Sequence, residues 1–253
     1  MKNILSKIEF HYSYLVVALG FILTGYFNNL IIFTSIILFH ELGHIIMCLA
    51  YKIKINKVII YPYGGIIKIE DIINRDIDEE LLISIMGVVF QTVYYTIIII
   101  LYNNGYIREY IFNLFTMYHY SMLIFNILPI YPLDGFKICN LILAKVFNYR
   151  LSNRISIIIS IIMICTFFIN GINNYSYIMI IMILITNTYK YYKNFEYLYY
   201  KFLLERYLYK YNYKKIKIID NKKKMFKNKI HIFKFNNSYI YEKEYLSKFI
   251  EKR

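Results

Sequence analysis

The stretch FHELGHIIMCLAYK, residues 39–52, sets two histidines and a glutamate inside a hydrophobic run. Residues 12–39 carry no formal charge, and Glu41 is the first acidic residue to follow them before the apolar pattern runs on to Tyr51. An ionisable side chain in such a run is costly to bury, and in a membrane span it marks a functional site by default. The run therefore decides two things at once: the chain is built for a membrane, and it spends polar groups there for a reason.

Working outward, the rest of the chain follows the same plan. The 253 residues are 58% hydrophobic, and the mean hydropathy is +0.42. That is too apolar for an ordinary soluble domain. Residues 81–107, 110–133 and 155–189 are also free of formal charge, and each is long enough for one or two spans of ~17–25 residues. Asn- and Gly-containing breaks divide them: FNNL (27–30), YNNGY (102–106) and NGINNYS (170–176). Six spans are predicted, at about 12–27, 30–50, 81–101, 110–130, 155–170 and 176–191. The fold class expected is an all-α polytopic membrane protein with a small β-hairpin between spans two and three. In that hairpin, KIKINKVIIYPYGGIIKIE, β-branched runs flank Pro62, Gly64 and Gly65. The first apolar run lacks a small-residue cleavage site, so no cleaved signal peptide is expected.

Six spans put both termini on one side, and the basic residues favour that side. It receives Lys2, Lys7, Lys52, Lys54, Lys57, Lys68, Arg75, Lys137, Lys145, Arg150, Arg154 and the tail, whereas the other side receives only Arg108. Both termini are therefore expected in the cytoplasm. The division expected is a membrane domain over 1–191 and a basic cytoplasmic region over 192–253. From Lys190 onward the chain holds 18 Lys or Arg against 6 Asp or Glu, which accounts for most of the net +14. NFEYLYYKFLLERYLYK reads as an amphipathic helix, and KKIKII and KIHIFKF as short strands. Such a tail suits anionic lipid headgroups or an acidic partner. No nucleic-acid-binding motif accompanies the charge, so no nucleic-acid partner is expected. Cys48, Cys139 and Cys165 have no disulfide spacing.

The chemistry lies in HELGH. On a helix, His40 and His44 are four residues apart and face the same way, so both imidazoles can bind one metal ion. Glu41 adjoins the first, where it can act as general base on a metal-activated water. This is the H-E-x-x-H arrangement of zinc hydrolases. A catalytic zinc needs a third protein ligand and an open position. The acidic residues between Glu70 and Glu80 lie in a polar loop outside the membrane. Asp134, in FNILPIYPLDGFK (125–137), is the better candidate, with helix capping as its other role. Its prolines break the fourth span, and irregular backbone at that depth must be satisfied by protein or water.

HELGH in one span and NILPIYPLDG in a later one resemble the site-2 protease family of intramembrane metalloproteases, whose motifs are HExxH and NxxPxxPxDG. Asn126, Pro129, Pro132, Asp134 and Gly135 all fit. The resemblance implies one Zn2+ per chain held by His40, His44 and Asp134, with Glu41 as the acid/base. It implies that Asn126 lies near the active site, orienting substrate or stabilising the oxyanion, and it places Pro132 on the substrate side. YPYGGI (61–66) is similar to the family's glycine-containing loop, so Gly64 and Gly65 are expected to pair with an extended substrate. MGVVFQ (86–91) sits where many relatives have Gly-Pro, with Val88 here in place of the proline, and Gly87 is assigned no chemical role.

Within that family the six-span layout and basic tail most resemble the stage IV sporulation protein FB group, whose members cleave the pro-sequence of a sporulation sigma factor, pro-sigma-K. The partners implied are a sigma factor precursor as substrate, membrane lipid, and inhibitory membrane proteins; homo-oligomerisation is left open. Residues 192–253 are too short for the paired nucleotide-sensing module that many relatives carry, and no PDZ domain is inserted between spans. Two other classes compete: a metal transporter, which needs polar residues along several spans, and an inactive scaffold. Spans five and six offer almost no polar path, and both motifs are complete.

Overall fold

The computed structural model describes residues 7–62, 64–69, 72–171, 175–213, 215–235 and 238–250. The chain is mostly helical, with two small three-stranded sheets. Its contacts group it into two compact units. One comprises residues 1–71 and 82–126, the other 72–81 and 127–253.

In the first unit, β1 (Ile8–Phe10) leads into α1 (Tyr12–Leu23) and α2 (Phe27–Ala50). Helix α2 has no breaker between Phe27 and Gly43, and its buried residues Ile32, Ile36, His40, His44 and Cys48 recur every fourth position. That is one stripe of an α-helix. The upper part of the stripe joins a core with Tyr14, Ile60, Ile98, Phe115 and Met122; Cys48 joins Ile45, Ile53, Ile55 and Val58. The metal-type residues are therefore a continuation of a core face.

The hairpin strands β2 (Ile55–Tyr61) and β3 (Gly64–Ile69) pair antiparallel, closing at Tyr61 and Gly64. Gly64 has φ +140°, a conformation that favours glycine. The sheet is larger than the hairpin expected from sequence: β1 adds to β2 in parallel, giving the order β1-β2-β3. Helix α3 (Ile77–Asn103) begins in the second unit and runs through the first. It stops before Gly105, whose φ of +79° ends the helix within YNNGY. Helix α4 (Glu109–Ile127) buries Phe115, His119, Met122 and Asn126 on one face.

The second unit holds α5 (Asp134–Val146), α6 (Tyr149–Gly171) and α7 (Tyr175–Leu208). The sixth apolar run and the amphipathic tail segment, read separately from sequence, form the single helix α7. No Gly or Pro interrupts residues 175–208, so position 191 falls inside a helix. Beyond α7 the tail folds into strands β4 (Ile216–Ile219), β5 (Ile230–Phe235) and β6 (Ser238–Tyr241) and helix α8 (Glu242–Ile250). β4 and β5 pair in parallel, and β6 adds antiparallel to β5. Tyr199, Phe202 and Leu203 of α7 pack with Ile219, Phe233 and Leu246 in one core. β6 and α8 are features the sequence reading did not anticipate.

Buried polar groups tie the segment before α3 to this core. Glu205 accepts hydrogen bonds from the amides of Ile73 and Asn74 and from Asn74 Nδ2, at 2.9–3.1 Å. Arg206 donates to Asn74 Oδ1 and to the carbonyls of Phe226, Lys227 and Lys229, at 2.6–2.9 Å. A buried charge is tolerable only with such full satisfaction.

Among the described residues, three helices are long and apolar enough to cross a membrane: Phe27–Ala50, Ile77–Asn103 and Tyr149–Ile169. Large apolar side chains such as Ile31, Val93, Ile97, Ile158 and Ile162 are exposed on them, as a lipid-facing surface requires.

Candidate metal centre

His40, Glu41 and His44 are all buried on α2, and one ligand atom from each lies within 4.8 Å of the others. The two Nε2 atoms are 3.2 Å apart. Two nitrogens bound at ~2.0–2.1 Å to one tetrahedral zinc would stand about 3.3 Å apart.

The opposite ring nitrogens explain the orientation. His44 Nδ1 lies 2.6 Å from the carbonyl oxygen of Ile83, and His40 Nδ1 lies 3.1 Å from Gln91 Oε1. A carbonyl oxygen only accepts, so each Nδ1 carries the proton and each Nε2 presents a lone pair. Two Nε2 lone pairs that converge at 3.2 Å are an arrangement that one cation bound by both would satisfy. The donor set therefore fits zinc, with the outer hydrogen bonds that metal-bound histidines need.

Helix α3 supplies this support from Ile83, Gly87 and Gln91, which are spaced four apart on one face. A Cβ at Gly87 would lie 2.6 Å from His44 Cε1 and 2.8 Å from His40 Nε2. Gly87, to which the sequence assigns no chemical role, has a structural one: it leaves room for both rings. Gly43 does the same in reverse, since a Cβ there would lie 2.7 Å from the carbonyl carbon of Met86. The only sequence trace of this surface is the four-residue spacing of 83, 87 and 91.

Glu41 Oε1 accepts the amide of Gly65 at 2.9 Å. A Cβ at Gly65 would lie 2.6 Å from Glu41 Cγ, so the first residues of β3 rest directly on this carboxylate. Gly64 precedes that contact in the strand. Asn126 is buried at the end of α4, and its Nδ2 finds no acceptor among the described residues.

Pro132 and Asp134 belong to the second unit. Asp134 opens α5, is 8% exposed, and has Lys137 Nζ at 3.5 Å from Oδ1. The next residue admits no side chain, because a Cβ at Gly135 would collide with the carbonyl oxygens of Ile127 and Leu128. The proline-broken backbone before it is held by hydroxyls: Ser160 Oγ donates to the Pro129 carbonyl at 2.8 Å, and Thr188 Oγ1 to that of Tyr131 at 3.4 Å.

The paired imidazoles, the adjacent carboxylate and the membrane-length helix that carries them are consistent with the class of membrane metalloproteases. Residues 28–109 and 103–170 match the profile of Peptidase family M50. The chain belongs to that family, the site-2 proteases, and is a protease for which the family implies zinc. It is 29% identical over 211 residues to the stage IV sporulation protein FB of Bacillus subtilis, covering 81% of this chain and 73% of that protein. It is 28% identical over 163 residues to a zinc metalloprotease of Methanocaldococcus jannaschii, covering 59% of this chain and 46% of the relative. The solved site-2 protease from Methanocaldococcus jannaschii shares the fold, with a TM-score of 0.58 at 23% identity over 72% of this chain and 89% of that one.

Proposed function

We propose that the chain is an intramembrane zinc endopeptidase that cuts a membrane-associated protein near the cytoplasmic face. The observation that carries this reading is the pair of Nε2 atoms 3.2 Å apart, each held by a proton acceptor on the far side of its ring. His40, His44 and Asp134 form the ligand set; for Asp134 the support is the PLDG motif and its buried place at the start of α5. Zinc, when bound, supplies a Lewis acid that acidifies water and polarises a peptide carbonyl. Glu41 takes the proton of the attacking water on its carboxylate and delivers it to the departing amine. Asn126 Nδ2, a buried donor in need of an acceptor, hydrogen-bonds the oxygen that gains charge.

The substrate must be extended to be cut. β3 starts on Glu41 and pairs with β2 on one side only among the described residues. A substrate strand adding along Gly64 and Gly65 would lie beside the catalytic carboxylate, with Pro132 lining its path. Six spans with both termini cytoplasmic are the arrangement that fits the basic loops, with residues 1–191 as the membrane domain and 192–253 as the cytoplasmic region. Similarity to the stage IV sporulation protein FB supports the pro-sequence of a sporulation sigma factor as the substrate; inhibitory membrane proteins are the partners that the family resemblance implies.

The test is Glu41→Gln in purified protein incubated with pro-sigma-K. Cleavage should vanish while zinc content stays at the wild-type level. Normal processing by that variant would sink the mechanism.

A further inference from the structure

Gln91 is wholly buried within the hydrophobic helix α3, at a position where an apolar residue would cost less. Its two ends face different partners. Nε2 donates to the backbone carbonyl of His119 at 3.0 Å and lies 3.4 Å from the Nδ1 of the same residue. Oε1 faces His40 Nδ1 at 3.1 Å.

The carbonyl of His119 accepts and cannot donate, so it fixes which way the Gln91 amide points. With the NH2 group turned to His119, only the oxygen is left for His40. His40 must then carry its proton on Nδ1. His119 is itself immobilised: it is buried, and its ring stacks on Tyr95 at 4.1 Å between centroids, 11° from parallel. The order is thus a chain of single-direction hydrogen bonds running from the α4 backbone through an α3 amide to an α2 imidazole.

We infer that Gln91, oriented by the His119 carbonyl, is a positioning residue that locks His40 in the Nδ1–H tautomer and delivers its Nε2 to the metal. His44 needs no such side chain, because the Ile83 carbonyl serves it. The inference rests on the zinc reading above and deepens it. It adds a residue that touches neither substrate nor metal and acts through the ligand.

Two substitutions separate positioning from packing. Gln91→Leu keeps the volume and removes the acceptor. Gln91→Glu keeps an acceptor oxygen for His40 and adds an acid. Zinc affinity is measured by chelator competition on the folded fraction of each full-length protein. Loss of an outer-shell partner costs roughly 10–100-fold in metal affinity. Gln91→Leu should fall by that amount, and Gln91→Glu should bind more tightly than Gln91→Leu. A packing role gives the opposite order, since leucine suits a buried site and a carboxyl group does not. Wild-type affinity in Gln91→Leu, or Gln91→Glu no tighter than Gln91→Leu, would overturn the inference.

A second measurement does not depend on the variants or on zinc. Nitrogen chemical shifts of labelled histidine in the metal-free wild-type protein should place the His40 proton on Nδ1, and a proton on Nε2 would overturn the inference. The two readings also fail differently. If the wild type holds no zinc that His40→Ala abolishes, the zinc reading falls, and the tautomer measurement still judges Gln91.

Discussion

His44 Nδ1 lies 2.6 Å from the carbonyl oxygen of Ile83, so a main-chain atom of α3 holds an imidazole of α2. That contact requires the two helices to come close, and Gly87, one turn further along α3, permits it. Gly87→Ala should therefore cost the metal centre more than it costs the fold. Alanine favours the helix by about 1 kcal/mol over glycine, yet its Cβ would meet both rings. The expected outcome is zinc content well below the wild type with helicity by circular dichroism unchanged. Full zinc occupancy in Gly87→Ala would show that the rings have room that the geometry denies.

Gly65→Ala addresses Glu41, the proposed acid/base, and leaves the proposed ligands alone. The added methyl would press on Glu41 Cγ and Oε1, at 2.6 and 2.7 Å. Displacing a catalytic group by an ångström can cost about 10²-fold. Single-turnover cleavage should slow by that order while zinc content holds. Equal losses of zinc and rate would point to a collapsed site and not to a moved carboxylate.

Asp134→Ala tests the proposed third ligand. Zinc occupancy should fall along with activity, because a three-ligand centre becomes a two-ligand one. Retained zinc with lost activity would remove Asp134 from the ligand set and leave it as the residue that opens α5.

The C-terminal region should be sensitive to acid. His231 is fully buried on β5; its Nε2 accepts the Phe226 amide at 2.9 Å and its Nδ1–H donates to Glu242 at 3.0 Å. The bond from Phe226 needs the neutral ring, because a protonated Nε2 has no lone pair to accept with, whereas the bond to Glu242 survives protonation. Burial lowers its pKa, and Glu242 only partly opposes this. The unfolded chain takes up the proton near pH ~6.5, whereas the folded chain resists it until lower pH. Stability from this group is therefore complete above ~6.5 and is lost as pH falls from there toward the folded-state pKa. Amide exchange in β5 should accelerate between pH 7.5 and 5.5. In His231→Gln, which can make the same two bonds without titrating, that acceleration should shrink.

What the sequence by itself determined is what repeats locally. HELGH reveals its chemistry because four residues on a helix always return to one face, and the apolar runs reveal the membrane because span length follows from bilayer thickness. The glycines of YPYGGI marked the hairpin turn for the same local reason. What the tertiary structure decided lies at long separation. His40 depends on Gln91, 51 residues away, His44 on Ile83, 39 away, and Gln91 on His119, 28 away. Ile83 contributes a carbonyl oxygen, which every residue has, so its identity carries no signal at all. Gly87 looked like an ordinary membrane glycine because the rings it makes room for belong to another helix. The tail's core is a similar case: Tyr199, Phe202 and Leu203 read as one amphipathic face, but only folding shows that Ile219, Phe233 and Leu246 cover it. Local periodicity fixes which side chains share a face, and packing alone decides what that face meets.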